Sequence, residues 1–106
     1  MSEKKSAEQI VGHLAQLNGW ELQEQGEQSK ICRTFKFADF TAAFSFMAAV
    51  AIEAEKMNHH PEWSNVYATV EIELTTHDAG GLTEKDFTLA ERIDRRAGAL
   101  GTDDHG

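Results

Sequence analysis

The sequence has few of the features that mark secreted, membrane-spanning or nucleic-acid-coating proteins. One cysteine among 106 residues cannot form a disulfide within the chain, which is typical of a reducing compartment. No apolar run approaches the roughly 20 residues that span a bilayer, and the polar start does not resemble a secretion signal. Ten lysines and arginines against eighteen aspartates and glutamates give a net charge of −8, which disfavours binding to phosphate backbones. We expect a cytoplasmic protein with no membrane and no direct nucleic-acid partner.

The length and composition fit a single domain over residues 1–106. A chain of this size buries roughly two thirds of its unfolded surface and can hold a core. Repeats, low-complexity tracts and linkers are missing, and the single proline is Pro61. The polar ends, about 1–5 and 101–106, are expected to be mobile.

The first half of the chain predicts a helix and a β-hairpin. Ser6 and Gln9 have the spacing of a capping box, and Gly19 is placed to end the helix. Strands are expected over 20–25 and 29–37, joined by a turn. The second strand alternates, with one face formed by Ile31, Arg33, Phe35 and Phe37.

A second helix is predicted over 40–57, with Asp39 as its N-cap. Its first fifteen residues are apolar except for Thr41, Ser45 and Glu53. A helix that is apolar almost all round needs cover on more than one side. It is either the central helix of a monomer or, as we favour, part of a subunit interface.

The second half of the chain predicts a strand, a loop and a last helix. Pro61 ends the second helix, and an alternating strand runs from Val66 to His77. A glycine loop follows, and Thr83 with Asp86 resembles a capping box that opens the last helix. The apolar stripe of this helix contains Phe87, Ala90, Ile93, Ala97 and Leu100. The order αββαβα, with one strand allowed to be split in two, favours an α+β sandwich with helices on one face of an antiparallel sheet.

Three histidines are candidate functional residues. His59 and His60 lie at a helix-to-strand junction made rigid by Pro61, and His77 precedes the glycine loop. Imidazole can act as an acid and as a base near neutral pH. The alternative is that each is an ordinary polar loop residue.

A zinc site is the less favoured interpretation of the same histidines. Adjacent residues in extended chain point to opposite sides, so His59 and His60 are poorly placed to share one ion. The i, i+4 spacing of a helical zinc motif is also missing. Cys32 lies alone in a strand and is interpreted as a packing residue.

Three further residues have a functional and a structural interpretation. Glu55 lies four residues before His59 and could orient it, although a solvated ion pair on the helix is the simpler interpretation. Asp86 could support catalysis or only cap its helix. Trp20 could line a pocket but is of a type that more often packs in a core.

A family resemblance runs through nearly the whole chain, from about Ser6 to Leu100. The run EKMNHHPEWSNVY at 55–67 resembles the signature of the pterin-4a-carbinolamine dehydratases, with Asn58 where many members carry aspartate. The resemblance also includes Gly19-Trp20, residues 35–40, Ala43, Phe44, Phe46, Met47, Val70, Ile72, Leu74, Thr76-His77, Gly81-Leu82-Thr83 and Asp86.

The resemblance implies a two-layer α+β sandwich, with a four-stranded antiparallel sheet and three helices packed on one face. It implies an enzyme that dehydrates 4a-hydroxytetrahydropterin to quinonoid dihydropterin, a step of tetrahydrobiopterin recycling after an aromatic amino acid hydroxylase. Its members form homodimers and homotetramers. The site residues that it implies are His59, His60 and His77 as catalytic residues, Glu55 and Asp86 as supporting residues, and His60, Trp20 and Pro61 as substrate-binding residues.

The implied reaction suits these residue types. An acid protonates the leaving 4a hydroxyl and a base takes a proton from a ring nitrogen, and we assign these roles to His59 and His77, with His60 holding the pterin. The reaction has no redox step, so we expect no cofactor and no metal. Two alternatives stay open: an interaction module that acts as dimerisation cofactor of a transcription regulator, as some members of the family do, and a histidine-dependent metalloenzyme.

Overall fold

The computed structural model describes residues 3–25 and 28–99 of the chain. One four-stranded sheet has the strand order β1-β2-β4-β3, and every neighbouring pair is antiparallel. In chain order the elements are α1 (Ala7–Leu14), β1 (Glu21–Gln25), β2 (Gln28–Lys36), α2 (Phe40–Met57), β3 (Glu62–Val66), β4 (Thr69–Leu74), a short 3₁₀ helix (His77–Ala79) and α3 (Glu84–Ala99). The predicted α+β class, with three helices and four antiparallel strands, is confirmed.

The core lies between the helices and one face of the sheet. The inward side chains of the two central strands pair across the ladder and are almost fully buried; they include Ile31, Phe35, Val70, Ile72 and Leu74. Phe46 of α2 packs on Phe35 with 5.0 Å between ring centroids. Glu71 and Glu73 point to the other face of β4, which the helices leave open.

The capping box of α1 is confirmed, but its predicted end is wrong. Ser6 N donates to Gln9 Oε1 at 2.9 Å and Gln9 N donates to Ser6 Oγ at 3.3 Å. The α-helix ends at Leu14 rather than near Gly19. Beyond Leu14, Leu17 N donates to Leu14 O at 3.1 Å, a hydrogen bond between residues three apart that is typical of 3₁₀ rather than α-helical geometry. Gly19, with φ of 79°, completes the bend into β1.

The strand predicted from Val66 to His77 corresponds mainly to β4, which spans Thr69–Leu74. A tight turn joins β4 to β3, which ends at Val66. Val66 is 77% exposed, and Tyr67 in the turn has φ of 51°. Val66 pairs with Thr69 and Ser64 with Glu71, so the two-residue turn reverses which of the odd and even positions face the core. Val66 therefore lies on the open face with Thr69 and Glu71, although in the sequence it continues the apolar spacing of β4.

Helices α2 and α3 pack as an antiparallel pair, and α2 has the predicted span of 40–57. Ala42 N donates to Asp39 Oδ1 at 2.8 Å, which confirms the predicted cap of α2. Glu53 of α2 accepts two hydrogen bonds from Arg96 of α3, at 2.5 and 3.1 Å. The predicted core positions of α3 are buried, namely Phe87, Ala90, Ile93 and Ala97.

Some predictions fall on residues that the structure does not describe. The predicted turn between the first two strands includes residues 26 and 27, which lie outside the described residues, as do Leu100 and the predicted tail 101–106. At the other end, Lys5 N donates to Leu82 O at 2.7 Å. Within the described ranges, no helix is long and apolar enough to cross a membrane.

Candidate active site

Four segments meet at one end of the sheet and bring the three candidate histidines together. They are the end of α2, the start of β3, the residues after β4, and the start of α3. Asp86 connects two of these segments, because Oδ1 lies 2.6 Å from Nε2 of His59 and Oδ2 accepts from the Thr76 hydroxyl at 2.8 Å. Glu62, at the start of β3, is joined to the residues after β4, because its Oε1 lies 2.7 Å from Nε2 of His77.

The pair of His59 and Asp86 is buried. His59 is 8% exposed and Asp86 is fully enclosed. The carboxylate also accepts from the backbone N of Thr83 at 2.9 Å. Asp86 therefore has three hydrogen-bond partners, which confirms its predicted place as a capping residue at the start of α3 and puts it in contact with His59.

The other two histidines form exposed pairs with glutamates. His60 Nε2 lies 2.6 Å from Glu55 Oε1, and His77 Nε2 lies 2.7 Å from Glu62 Oε1. All four side chains are more than half exposed. The site thus has three histidine–carboxylate pairs, one shielded from water and two open to it.

Local backbone structure explains how the sequence holds these residues. Asn58 ends α2 with φ of 51°, a left-handed conformation that asparagine tolerates, and His59 N then bonds to Ala54 O at 3.1 Å. The rigid Pro61 leads from the histidine pair into β3. His77 follows Thr76, which is bridged to Gly81 across a tight loop.

The pairs have the arrangement that proton transfer requires. An ionised carboxylate can only accept, so Nε2 of each ring donates to its partner and Nδ1 is the nitrogen that can exchange a proton with a ligand. A carboxylate on one ring nitrogen stabilises the imidazolium that forms when the other takes up a proton. The arrangement can therefore supply both an acid and a base.

Glu55 does not contact the histidine that its helical spacing suggests. Glu55 could orient His59 by spacing, with a solvated ion pair on the helix as the simpler interpretation, and in the structure it forms an exposed pair with His60 instead. The cause is the end of the helix at Met57, after which the left-handed Asn58 redirects the chain. His59 turns inward to Asp86 and His60 faces solvent beside Glu55.

Trp20 lies in the core, away from the histidine pairs. It is 6% exposed, and its Nε1 donates to Asp94 Oδ1 at 2.8 Å. Asp94 also accepts from Arg33 at 3.0 Å, and burial is the largest influence on this carboxyl and raises its pKa. Since Asp94 follows Asp86 by eight residues, the indole bonds to α3 about 12 Å along the helix axis from the site. The structure therefore supports the interpretation of Trp20 as a packing residue.

Cys32 lies on the open face of the sheet, and burial raises the pKa of its thiol. A raised pKa disfavours the thiolate, which is the reactive form. Among the described residues, no group of three or more histidine, cysteine, aspartate or glutamate side chains is arranged to hold a metal ion.

Sequence reasoning missed Glu62 and Thr76 as parts of the site. Both lie within the stretch that resembles the family, but the sequence around Glu62 indicates only an ordinary outward-facing residue of a strand. Its link to His77 depends on the β3–β4 hairpin, which pairs Glu62 with Glu73 and brings it next to the end of β4. In the sequence, the separation of 15 residues between Glu62 and His77 is enough for two short strands and a turn, and this length is the signal that could have indicated the hairpin.

The comparisons with known proteins identify the family of this chain. Residues 3–96 match the family described as pterin 4 alpha carbinolamine dehydratase. The chain belongs to this family. A relative from Rhizobium johnstonii is 53% identical over 83% of this chain and 85% of its own length, and one from Jannaschia sp. is 60% identical over 76% and 80%. Both carry names that assign them provisionally as pterin-4-alpha-carbinolamine dehydratases.

Two solved structures have the same fold. A Brucella melitensis protein, titled a transcriptional coactivator/pterin dehydratase, has a TM-score of 0.85 and 40% identity, over 90% of this chain and 99% of its own. A pterin dehydratase-like protein identified as a RuBisCO assembly factor in the alpha-carboxysome has a TM-score of 0.65 and 24% identity, over 76% and 92%. The second likeness concerns the fold alone.

Proposed function

We propose that this protein dehydrates 4a-hydroxytetrahydropterin to quinonoid dihydropterin and water. Membership of the pterin 4 alpha carbinolamine dehydratase family gives the class of reaction. The observation that carries the proposal is the set of three histidine–carboxylate pairs at one end of the sheet. A protein that served only as a scaffold would have no physical need for three oriented imidazoles.

The reaction needs one proton delivered and one removed. The lone pair of a pterin ring nitrogen expels the 4a hydroxyl as the C–O bond breaks, and an acid protonates the leaving oxygen to give water. A base then takes the proton from a ring nitrogen, which leaves the neutral quinonoid product. One protonated and one neutral imidazole supply both steps near pH 7, each for about 10²–10⁴-fold in rate.

We assign the acid and base roles to His59 and His77 and the holding of the pterin to His60. The buried Asp86 keeps His59 in one orientation, as the third member of a catalytic triad does for its histidine. Glu55 orients His60 at the surface, and the rigid Pro61 lies beside it as a wall for the flat pterin. The protein carries out these proton transfers with its own side chains.

The test is the dehydration of freshly prepared 4a-hydroxytetrahydropterin, followed by ultraviolet absorbance with and without a chelator. The proposal predicts acceleration over the spontaneous reaction that the chelator leaves unchanged. Acceleration abolished by the chelator would favour the metalloenzyme alternative. No acceleration by folded protein would overturn the proposal and favour a role in protein binding.

The exposed face of α2 supports self-association. Phe40, Phe44 and Ile52 are about half exposed and follow one another at helical spacing along this face. Large contiguous apolar patches on small proteins mark interaction sites. We infer a homodimer or homotetramer built on this face.

A second candidate function uses the same face. An interaction module that acts as dimerisation cofactor of a transcription regulator would present an apolar helix to its partner, and α2 has that character. The Brucella melitensis neighbour is titled both a transcriptional coactivator and a pterin dehydratase. The retention of all three histidine pairs favours the dehydratase.

The physiological setting follows from the proposed reaction. We propose a single-domain cytoplasmic enzyme that works in tetrahydrobiopterin recycling, downstream of an aromatic amino acid hydroxylase that generates the carbinolamine. Its acidic surface fits a small-molecule substrate with no nucleic-acid partner.

A further inference from the structure

The backbone around His77 is fixed by hydrogen bonds on both sides. Thr76 N donates to Gly81 O at 3.0 Å, and Gly81 N returns a bond to Thr76 O at 3.3 Å. Within that loop, Gly80 N donates to His77 O at 3.0 Å. Gly80 has φ of 76°, which closes the loop at little cost because glycine adopts this conformation readily. The Cα of His77 is therefore well placed.

The imidazole of His77 is held much less firmly than its backbone. The side chain is 71% exposed, so packing does not restrict its two side-chain torsions. Its hydrogen bond is to Glu62, at 2.7 Å. His59, in contrast, is enclosed by the core and bound to Asp86. The orientation of His77 therefore depends on Glu62 alone among its described contacts, whereas His59 is held by packing as well as by Asp86.

Glu62 is itself on a rigid element. It is the first residue of β3, pairs in register with Glu73 of β4, and follows Pro61. Exposed ion pairs contribute little to folding stability, because solvent screens them and two side chains must be ordered. Stability is therefore a poor explanation for a carboxylate at this position.

We propose that Glu62 is the positioning residue of His77. Its carboxylate accepts from Nε2, fixes the tautomer with hydrogen on that atom, and directs Nδ1 toward the pterin. This inference rests on the proposed dehydratase function and adds to it a residue that acts on the reaction through His77. A misplacement of a reacting group by about 1 Å can cost up to 10²-fold in rate, so an exposed imidazole needs such a partner.

The kinetic test compares Glu62→Gln with a matched variant. Glu71→Gln is the control, because Glu71 of β4 lines the same cavity of about 250 Å³ as Glu62. We expect kcat of Glu62→Gln to fall roughly three- to thirtyfold, with KM little changed. This loss is smaller than the rate factor of about 10²–10⁴ that a complete acid–base group contributes, because His77 itself remains. Glu71→Gln should keep wild-type kinetics. Equal kinetics for all three proteins, or a rise of KM alone, would overturn the proposal.

A double-mutant cycle tests whether Glu62 acts through His77. In a His77→Ala background, Glu62→Gln should cause no further loss of kcat, because the group that it positions is gone. A full additional loss would show that Glu62 acts independently and would contradict the proposal. If the wild type shows no dehydratase activity at all, it is the proposed function that fails.

A spectroscopic measurement tests the positioning without any substrate. Imidazole ¹⁵N chemical shifts distinguish the two tautomers of a neutral histidine. We expect His77 of the wild type to be one tautomer, with hydrogen on Nε2, and to become a mixture in Glu62→Ala while the shifts of His59 stay unchanged. Identical His77 shifts in the two proteins would overturn the proposal.

Discussion

Nε2 of His59 lies 2.6 Å from Oδ1 of Asp86, and the core shields both side chains from water. The bond joins the loop after α2 to the first turn of α3. The same carboxylate caps α3 through Thr83 N and accepts from the Thr76 hydroxyl. One residue therefore connects the stability of the fold with the orientation of a proposed catalytic histidine.

Replacing Asp86 should damage both properties. Asp86 accepts hydrogen bonds from three groups in or near the core, and a buried polar group left without its partner costs about 1–3 kcal/mol, so we expect Asp86→Asn to lower the free energy of unfolding by about 3 kcal/mol in urea denaturation. Glu55→Gln is the control, since it makes the same change at the exposed pair with His60, and it should lower stability much less. Equal stability of the two variants would contradict the burial argument.

His13→Ala tests whether the loss of activity is specific to the three paired histidines. His13 stacks on Phe87 with 4.4 Å between ring centroids, at the contact of α1 with α3. Its replacement should lower stability by about 1 kcal/mol and leave turnover unchanged. His77→Ala should have the opposite profile, with turnover lost and thermal unfolding nearly unchanged. Similar profiles for the two variants would refute the assignment of the site.

Trp20→Phe separates a packing role from a pocket role. The change removes the indole donor to Asp94 while keeping an aromatic ring, and should cost roughly 1 kcal/mol in stability because the partly buried carboxyl loses one of its partners. KM for the pterin should stay within about twofold of the wild-type value. A clear rise of KM with stability intact would instead place Trp20 at the substrate.

Self-association through α2 should depend on its exposed aromatic side chains. Phe44 is 58% exposed in the single chain, so Phe44→Glu should lower the molar mass measured by sedimentation velocity. Val11→Glu is the control, because Val11 is an exposed apolar residue of α1. A monomeric wild type, or an equal loss of mass in both variants, would contradict an interface on α2.

The Glu53–Arg96 contact predicts a pH dependence of stability. The hydrogen bond from Arg96 is the largest influence on the pKa of Glu53 and lowers it from its ordinary value of 4.5. A depressed carboxyl pKa stabilises the folded state above the unfolded value, and this contribution is lost as pH falls through the folded value. Wild type should therefore be more stable than Glu53→Gln at neutral pH, with the difference shrinking below pH 4.5. Denaturation curves at several pH values measure it, with Glu91→Gln as the control for the loss of one charge. A difference that is constant with pH would contradict the cause assigned to the shift.

The sequence was sufficient to predict the elements that have strong periodicity or caps. Asp39 and the apolar run after it gave the span of α2, and the stripe of α3 gave its buried residues. The β3–β4 hairpin was missed because Val66 and Ala68 continue the apolar spacing of Val70 in the sequence, although the turn between β3 and β4 reverses the face on which Val66 lies. The end of α1 was missed because Leu17 continues the helical stripe beyond the last helical hydrogen bond.

The candidate site was predictable in its residues but not in its pairing. The histidines stood out by their position beside Pro61 and the glycine loop. Which carboxylate each one contacts depends on long-range geometry, since Asp86 follows His59 by 27 residues and Glu62 precedes His77 by 15. Helical spacing suggested Glu55 as the partner of His59, and a single left-handed residue at Asn58 was enough to change that partner.

The most direct test of the account is the rate of 4a-hydroxytetrahydropterin dehydration by the wild type and by a variant with His59, His60 and His77 all replaced by alanine. Circular dichroism would first establish that both proteins are folded. The account predicts acceleration by the wild type and only the spontaneous rate with the triple variant. Equal acceleration by the two proteins would contradict histidine acid–base catalysis, and no acceleration by either would contradict the dehydratase function itself.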